Sequence, residues 1–228
     1  MKVTHYKALG LSVGTVLDRE RGILDGLRPL TVQSRSAIGD AQLLDVYRRV
    51  ARTLVGPAAQ ASPTAFHGQL YQQVAQLLHV APGWDESVAF GSSSAHWPLY
   101  EDAPGALQYL RKFYCLILVA PPQGIDVAAL SSRLPLKFDA IVEPSDRNWH
   151  SSLEQALQRL GLERSELLPV RSTESDDPWV DRVDFPLCTL RRGHNPPWNH
   201  SPQAMDGKRC EYASLADLAH AHQKALHA

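Results

Sequence analysis

No stretch of this 228-residue chain approaches the roughly 18 consecutive apolar residues of a membrane-spanning helix, so no membrane span is expected. Cysteine is scarce. Cys115, Cys188 and Cys210 are odd in number and far apart, which argues against a disulfide framework or a zinc site and for reduced thiols. Neither sign of charge dominates: 23 Lys and Arg against 24 Asp and Glu leave a net charge of −1. A chain so nearly neutral has no long-range field to gather nucleic acid or an anionic membrane, and neither is expected as a partner. Met1 to Lys7 lack the apolar core of a signal peptide, so a cytoplasmic location is expected.

What is present is an apolar share of 44%, enough for one large domain or a domain with an insertion. Residues 8–13 read as a buried strand that runs into a turn at Gly14. Residues 19–31 carry Ile23, Leu24 and Leu27 at helical spacing, although Gly22 and Gly26 weaken that helix. Residues 40–55 form a stronger one, with Asp40 as a cap and Leu43, Leu44, Tyr47, Val50 and Leu54 as a stripe. Ser62-Pro63 opens another, with Phe66, Leu70, Val74 and Leu77 inward, and a short helix follows at 85–96.

From residue 100 the pattern changes to alternating helices and strands. Helices are expected at 103–113, 125–133, 151–160 and 214–227, and buried strands at 114–120, 138–142, 167–170 and 185–190. Residues 193–209, rich in Pro, Asn, His and Gly, read as an exposed loop. Alternation of this kind implies an α/β fold with a parallel sheet and helices on both faces. The expected organisation is an α/β core from residues 1–18 and 100–228, with residues 19–99 as an all-helical cap inserted after the first strand.

Gly14-Thr15-Val16-Leu17-Asp18, following an apolar strand, resembles the opening motif of the haloacid dehalogenase (HAD) superfamily, in its 2-haloacid-dehalogenase-like branch. Further landmarks lie in the same order: Trp97-Pro98 at the cap exit, Arg147-Asn148-Trp149, Leu190-Arg191-Arg192-Gly193, and Tyr212-Ala213-Ser214-Leu215 before the last helix. The resemblance implies a HAD-like Rossmannoid core with a helical cap, and four chemical loops at the carboxyl ends of strands. Its first loop carries an Asp nucleophile that forms a covalent ester; Ser12 stands nearest that place here. Its second carries Ser or Thr then Asn, where this chain has Ala120-Pro121-Pro122. Its third carries a Lys, where Glu143-Pro144-Ser145-Asp146 is acidic. Its fourth is acidic or polar, as Asp176-Asp177 is. Three of four positions depart from the pattern, so the active site reads as degenerate, and no metal or other cofactor is expected.

The catalytic candidates are therefore His96 at the cap exit, His150 after the third strand, and Asp176 and Asp177. Ser12, Thr15, Tyr47, Arg48, Trp97, Ala120, Arg147 and Asn148 are the candidates for holding a small organic substrate. Each also has a plainer role: turn, helix cap, solvated helix face or packing. His194, His200, His220, His222 and His227 match no metal-ligand spacing. Three readings stay open. The chain is a small-molecule enzyme with repurposed acid–base chemistry of a lyase, isomerase or cyclase type in a core–cap cleft. It is a pseudoenzyme that binds or scaffolds. Or it is a hydrolase with substituted residues. A homodimer through the cap is permitted by the sequence.

Overall fold

The computed structural model describes residues 3–34, 38–54, 62–121, 124–143, 149–173, 186–192 and 209–227. The opening apolar run forms β1, Ala8–Ser12, and all five of its residues are buried. Burial on both faces is what a central strand of a parallel sheet requires. Around it lie β2 (Cys115–Val119), β3 (Ala140–Val142), β4 (Leu167–Ser172), β5 (Leu187–Leu190) and β6 (Arg209–Tyr212). The order is β3-β2-β1-β4-β5-β6, and every neighbouring pair is parallel. Strand order reverses between β1 and β4, and in open sheets of this class ligands bind beyond the carboxyl ends of the strands at that switch point.

The helices among the described residues are α1 (Arg19–Ser34), α2 (Asp40–Thr53), α3 (Pro63–Leu77), α4 (Trp84–Ser93), α5 (Ala103–Leu110), α6 (Val127–Ser132), α7 (Trp149–Arg159) and α8 (Leu215–Leu226). None of them is long and apolar enough to cross a membrane. Two compact units divide the chain. One comprises Met1–Asp18, Leu99–Pro122 and Ser131–Ala228; the other comprises Arg19–Pro98 and Gln123–Leu130.

In the sheet unit, Leu153, Ala156 and Leu157 of α7 pack with Ala8, Ile117, Val119, Val142, Leu167 and Leu187. Separately, α8 packs on α5, where the Tyr109 hydroxyl lies 3.1 Å from His222 Nδ1. Ser214 caps α8 by accepting from the Asp217 N–H at 3.0 Å. The outgoing and returning segments meet in an antiparallel bridge, Leu17 to Leu99, and Tyr100 N–H donates to the Val16 carbonyl at 2.9 Å.

In the helical unit, α1 buries Ile23, Leu24, Leu27 and Leu30 and runs through Pro29 to Ser34. Its glycines do not mark a weak helix, as the sequence reading held. A Cβ at Gly22 would stand 2.3 Å from Trp97 Cγ, and one at Gly26 would stand 2.4 Å from Phe90 Cδ2. The small residues make room for aromatic rings. The start of α2 also differs from expectation. Asp40 is its first residue, and the capping position is Gly39, whose N–H donates to Gln42 Oε1 at 3.2 Å. Ser62 caps α3 with a 3.1 Å bond from the Ala65 N–H. Residues 123–130 belong with this unit and not with the sheet, where the sequence reading had them. The tie is local: the Gly124 carbonyl accepts from His67 of α3.

Candidate functional site

At the switch point, β1 gives way to a single 3₁₀ turn, Val13–Thr15. Ser12 and Thr15 are both fully buried. The Thr15 hydroxyl donates to the Ser12 carbonyl at 2.7 Å, so it is consumed in holding the turn. Ser12 Oγ is buried and has no hydrogen-bond partner among the described residues. A serine nucleophile needs a base within hydrogen-bond reach to remove its proton, and none stands there among the described residues. Ala120, after β2, is buried too and brings no side-chain donor.

Arg192 braces this turn from behind. Its Nη2 donates to the Thr15 carbonyl at 3.0 Å, and its two terminal nitrogens grip Asp102 at 2.7 and 3.0 Å. The Tyr100 ring lies 4.0 Å from its guanidinium carbon. Asp102 Oδ2 also accepts from the Ala216 N–H at 3.1 Å. The charge of Arg192 is thus matched by a bidentate carboxylate, and its role is to join the β1 turn to the starts of α5 and α8.

The helical unit holds a second polar cluster. His67 is fully buried, with Phe66, Trp97 and Phe90 rings at centroid distances of 5.1, 4.8 and 6.0 Å. Its Nε2 lies 2.7 Å from the Gly124 carbonyl and its Nδ1 3.3 Å from the Tyr47 hydroxyl. A carbonyl only accepts, so the proton sits on Nε2 and Nδ1 is the acceptor for Tyr47. The positive charge of Arg19 acts on the Tyr47 phenol. The chain Tyr47 to His67 to Gly124 therefore has one polarity.

Burial drives the titration of both rings. It pushes His67 down to about 4, with the Gly124 carbonyl acting upward and the Arg19 charge acting further downward. It pushes Tyr47 up to about 12, with Arg19 acting the other way. At neutral pH the imidazole is uncharged and the phenol is protonated. Arg19 has a buried Nε without a hydrogen-bond partner among the described residues. Arg48 pairs with Glu20, whose carboxylate is nearly buried.

Of the residues singled out in the sequence, the structure brings Tyr47 and Trp97 together around His67. Arg48 is engaged with Glu20, and His96 is exposed in the 3₁₀ turn before Trp97. His150 is half-buried in the first turn of α7. Arg147, Asn148, Asp176 and Asp177 lie outside the described residues, as do His194 and His200. No group of three or more potential metal ligands exists among the described residues. His67, Arg19, Arg192 and Asp102 were not singled out. His67 carried a readable signal, being a histidine inside the apolar stripe Phe66, Leu70, Tyr71, Val74.

No protein-family model matches the chain, and no curated protein sequence matches it. Solved structures do. A defluorinating L-2-haloacid dehalogenase superposes with a TM-score of 0.66 at 13% identity, over 97% of this chain and 98% of that one. An L-2-haloacid dehalogenase from Xanthobacter autotrophicus with chloropropionic acid covalently bound gives 0.64 at 15% identity, over 94% and 97%. A 2-haloacid dehalogenase from Pseudomonas syringae gives 0.53 at 14%, over 96% and 99%. The chain therefore has the HAD dehalogenase fold over nearly its whole length, at identities that speak to the fold alone.

Proposed function

We propose that this chain acts on a small organic anion by non-hydrolytic acid–base chemistry and forms no aspartyl ester. The observation that carries the departure from hydrolysis is Ser12: where a carboxylate nucleophile would end β1, a hydroxyl is buried with no base beside it among the described residues. Arg19 supports the anion. A guanidinium whose Nε is buried without a partner, and which forms no ion pair among the described residues, suits a carboxylate or phosphate oxygen. The acid–base pair is Tyr47 with His67. As Tyr47 takes a proton from a bound substrate, its own proton passes to His67 Nδ1, and the positive charge of Arg19 steadies the anion formed. Return of the proton to a different substrate atom completes an isomerisation, and loss of a leaving group instead completes an elimination.

The burial of Tyr47, 3% exposed, and of His67, fully buried, favours a second reading, in which the anion is bound and not turned over. One experiment separates these readings. The full chain is incubated in D2O with 2-substituted carboxylates, 2-chloropropionate among them. Binding, deuterium entry at carbon and chloride release are followed together. Saturable binding lost in Arg19→Gln, with deuterium entry lost in Tyr47→Phe, is the expected result. Binding without exchange establishes the second reading. Chloride release abolished by Ser12→Ala overturns both in favour of a hydrolase.

A further inference from the structure

Cys188 and Cys210 are 22 residues apart in sequence and directly opposite one another in the sheet: the pairing of β5 with β6 sets Cys188 against Cys210. Residues paired in a parallel ladder face the same side, and neighbouring strands lie about 4.8 Å apart. That separation falls inside the Cα spacing of roughly 4.4–6.8 Å at which a disulfide closes without moving the backbone. Both cysteines are free thiols, and each shifts the other's proton affinity. We infer that Cys188 and Cys210 form a dithiol site that exchanges with small-molecule disulfides and closes to a Cys188–Cys210 disulfide.

The two sulfurs have different roles. Cys210 lies on β6, an edge strand of the sheet among the described residues, and is 8% exposed, whereas Cys188 is fully buried. The neighbouring Cys188 thiol holds the Cys210 thiol below its ordinary range against the opposing effect of burial, and the Tyr212 hydroxyl adds to it. Tyr212 is two residues along the strand, hence on the same face. Burial, and the neighbouring Cys210 thiol, push Cys188 up. Cys210 is therefore the attacking sulfur and Cys188 the resolving one. Nothing need travel far. The Cys210 thiolate attacks one sulfur of a disulfide RSSR, the S–S bond breaks, and RS⁻ leaves with a proton from solvent. Cys188 then loses its proton and attacks the Cys210 sulfur of the mixed disulfide, and a second RSH departs. Two protein thiols are oxidised and one RSSR is reduced to two RSH. Cys115 is a built-in comparison: it is partly exposed, but burial and the Asp139 carboxylate raise its thiol, and no second cysteine faces it across the sheet.

The test treats the native full-length chain with oxidised glutathione at neutral pH and reads intact mass and cysteine-containing peptides. The expected product has lost two hydrogens, links the peptides bearing Cys188 and Cys210, and reverts with dithiothreitol. Cys188→Ser should stop at one glutathione on Cys210, Cys210→Ser should not form the link, and Cys115→Ser should form it as wild type does. The inference fails if the native wild-type chain keeps both thiols, if glutathione settles on Cys115 alone, or if the link forms only after the chain is unfolded. The wild-type peptide map decides the matter even if a variant does not fold.

Discussion

At the scale of single residues, three groups carry the account. Ser12 has a buried hydroxyl with no partner among the described residues, which costs roughly 1–3 kcal/mol against an apolar group of the same shape. Ser12→Ala should therefore leave stability unchanged or raise it by up to about 1 kcal/mol, whereas Ser12→Asp should lower it by several kcal/mol by burying an unmatched carboxyl. Chemical denaturation of the two variants checks both signs. Arg19→Gln should weaken binding of a small carboxylate roughly tenfold or more while Arg48→Gln changes it little, because Arg48 already answers to Glu20; calorimetric titration reads this. His67 ties stability to pH. Its folded value is about 4, against about 6.5 for a free imidazole, so the unfolded chain binds the extra proton between those values. The contribution is whole above about pH 6.5 and is lost as pH falls toward 4, up to about 3 kcal/mol. Denaturant midpoints at pH 7 and pH 4.5 should differ in that direction, and by less in His67→Gln.

At the scale of elements, α1 shows best why a sequence and its fold can disagree. Two glycines within one helix read as weakness, because an interior glycine costs up to about 1 kcal/mol against alanine. Each in fact faces an aromatic ring from elsewhere in the helical unit, which no local pattern announces. Gly22→Ala should thus destabilise by about 1–3 kcal/mol through its clash with Trp97, despite the better helix former. Gly105→Ala in α5, where a Cβ meets nothing within 4 Å, should stabilise by up to about 1 kcal/mol. Thermal melts of the pair test the sign reversal. Other elements were readable because their signal is local: the apolar runs of β1 and β2, the stripe of α2, the Ser62-Pro63 start of α3. β6 was not read. Its four residues Arg-Cys-Glu-Tyr alternate without an apolar run, and pairing with β5 is what makes them a strand.

At the scale of the whole molecule, alternation of apolar runs with helical stripes was enough to read a parallel α/β sheet, and the order of landmarks was enough to name its fold. The candidate site was less legible. Ser12 and Thr15 of the sheet unit, and Tyr47 and Trp97 of the helical unit, announced themselves as candidates through motif and stripe. Arg19 did not, because an Nε buried without a partner among the described residues is a property of three-dimensional packing. Nor did the tie between His67 and Gly124, which spans 57 residues of sequence. The claim that most needs testing is that this fold here runs without a covalent ester on β1. Intact-mass spectrometry of the full chain quenched during incubation with 2-chloropropionate, with chloride measured in parallel, tests it directly. The account predicts an unmodified chain; an adduct mapping to the segment around Ser12, or chloride release that Ser12→Ala abolishes, would contradict it.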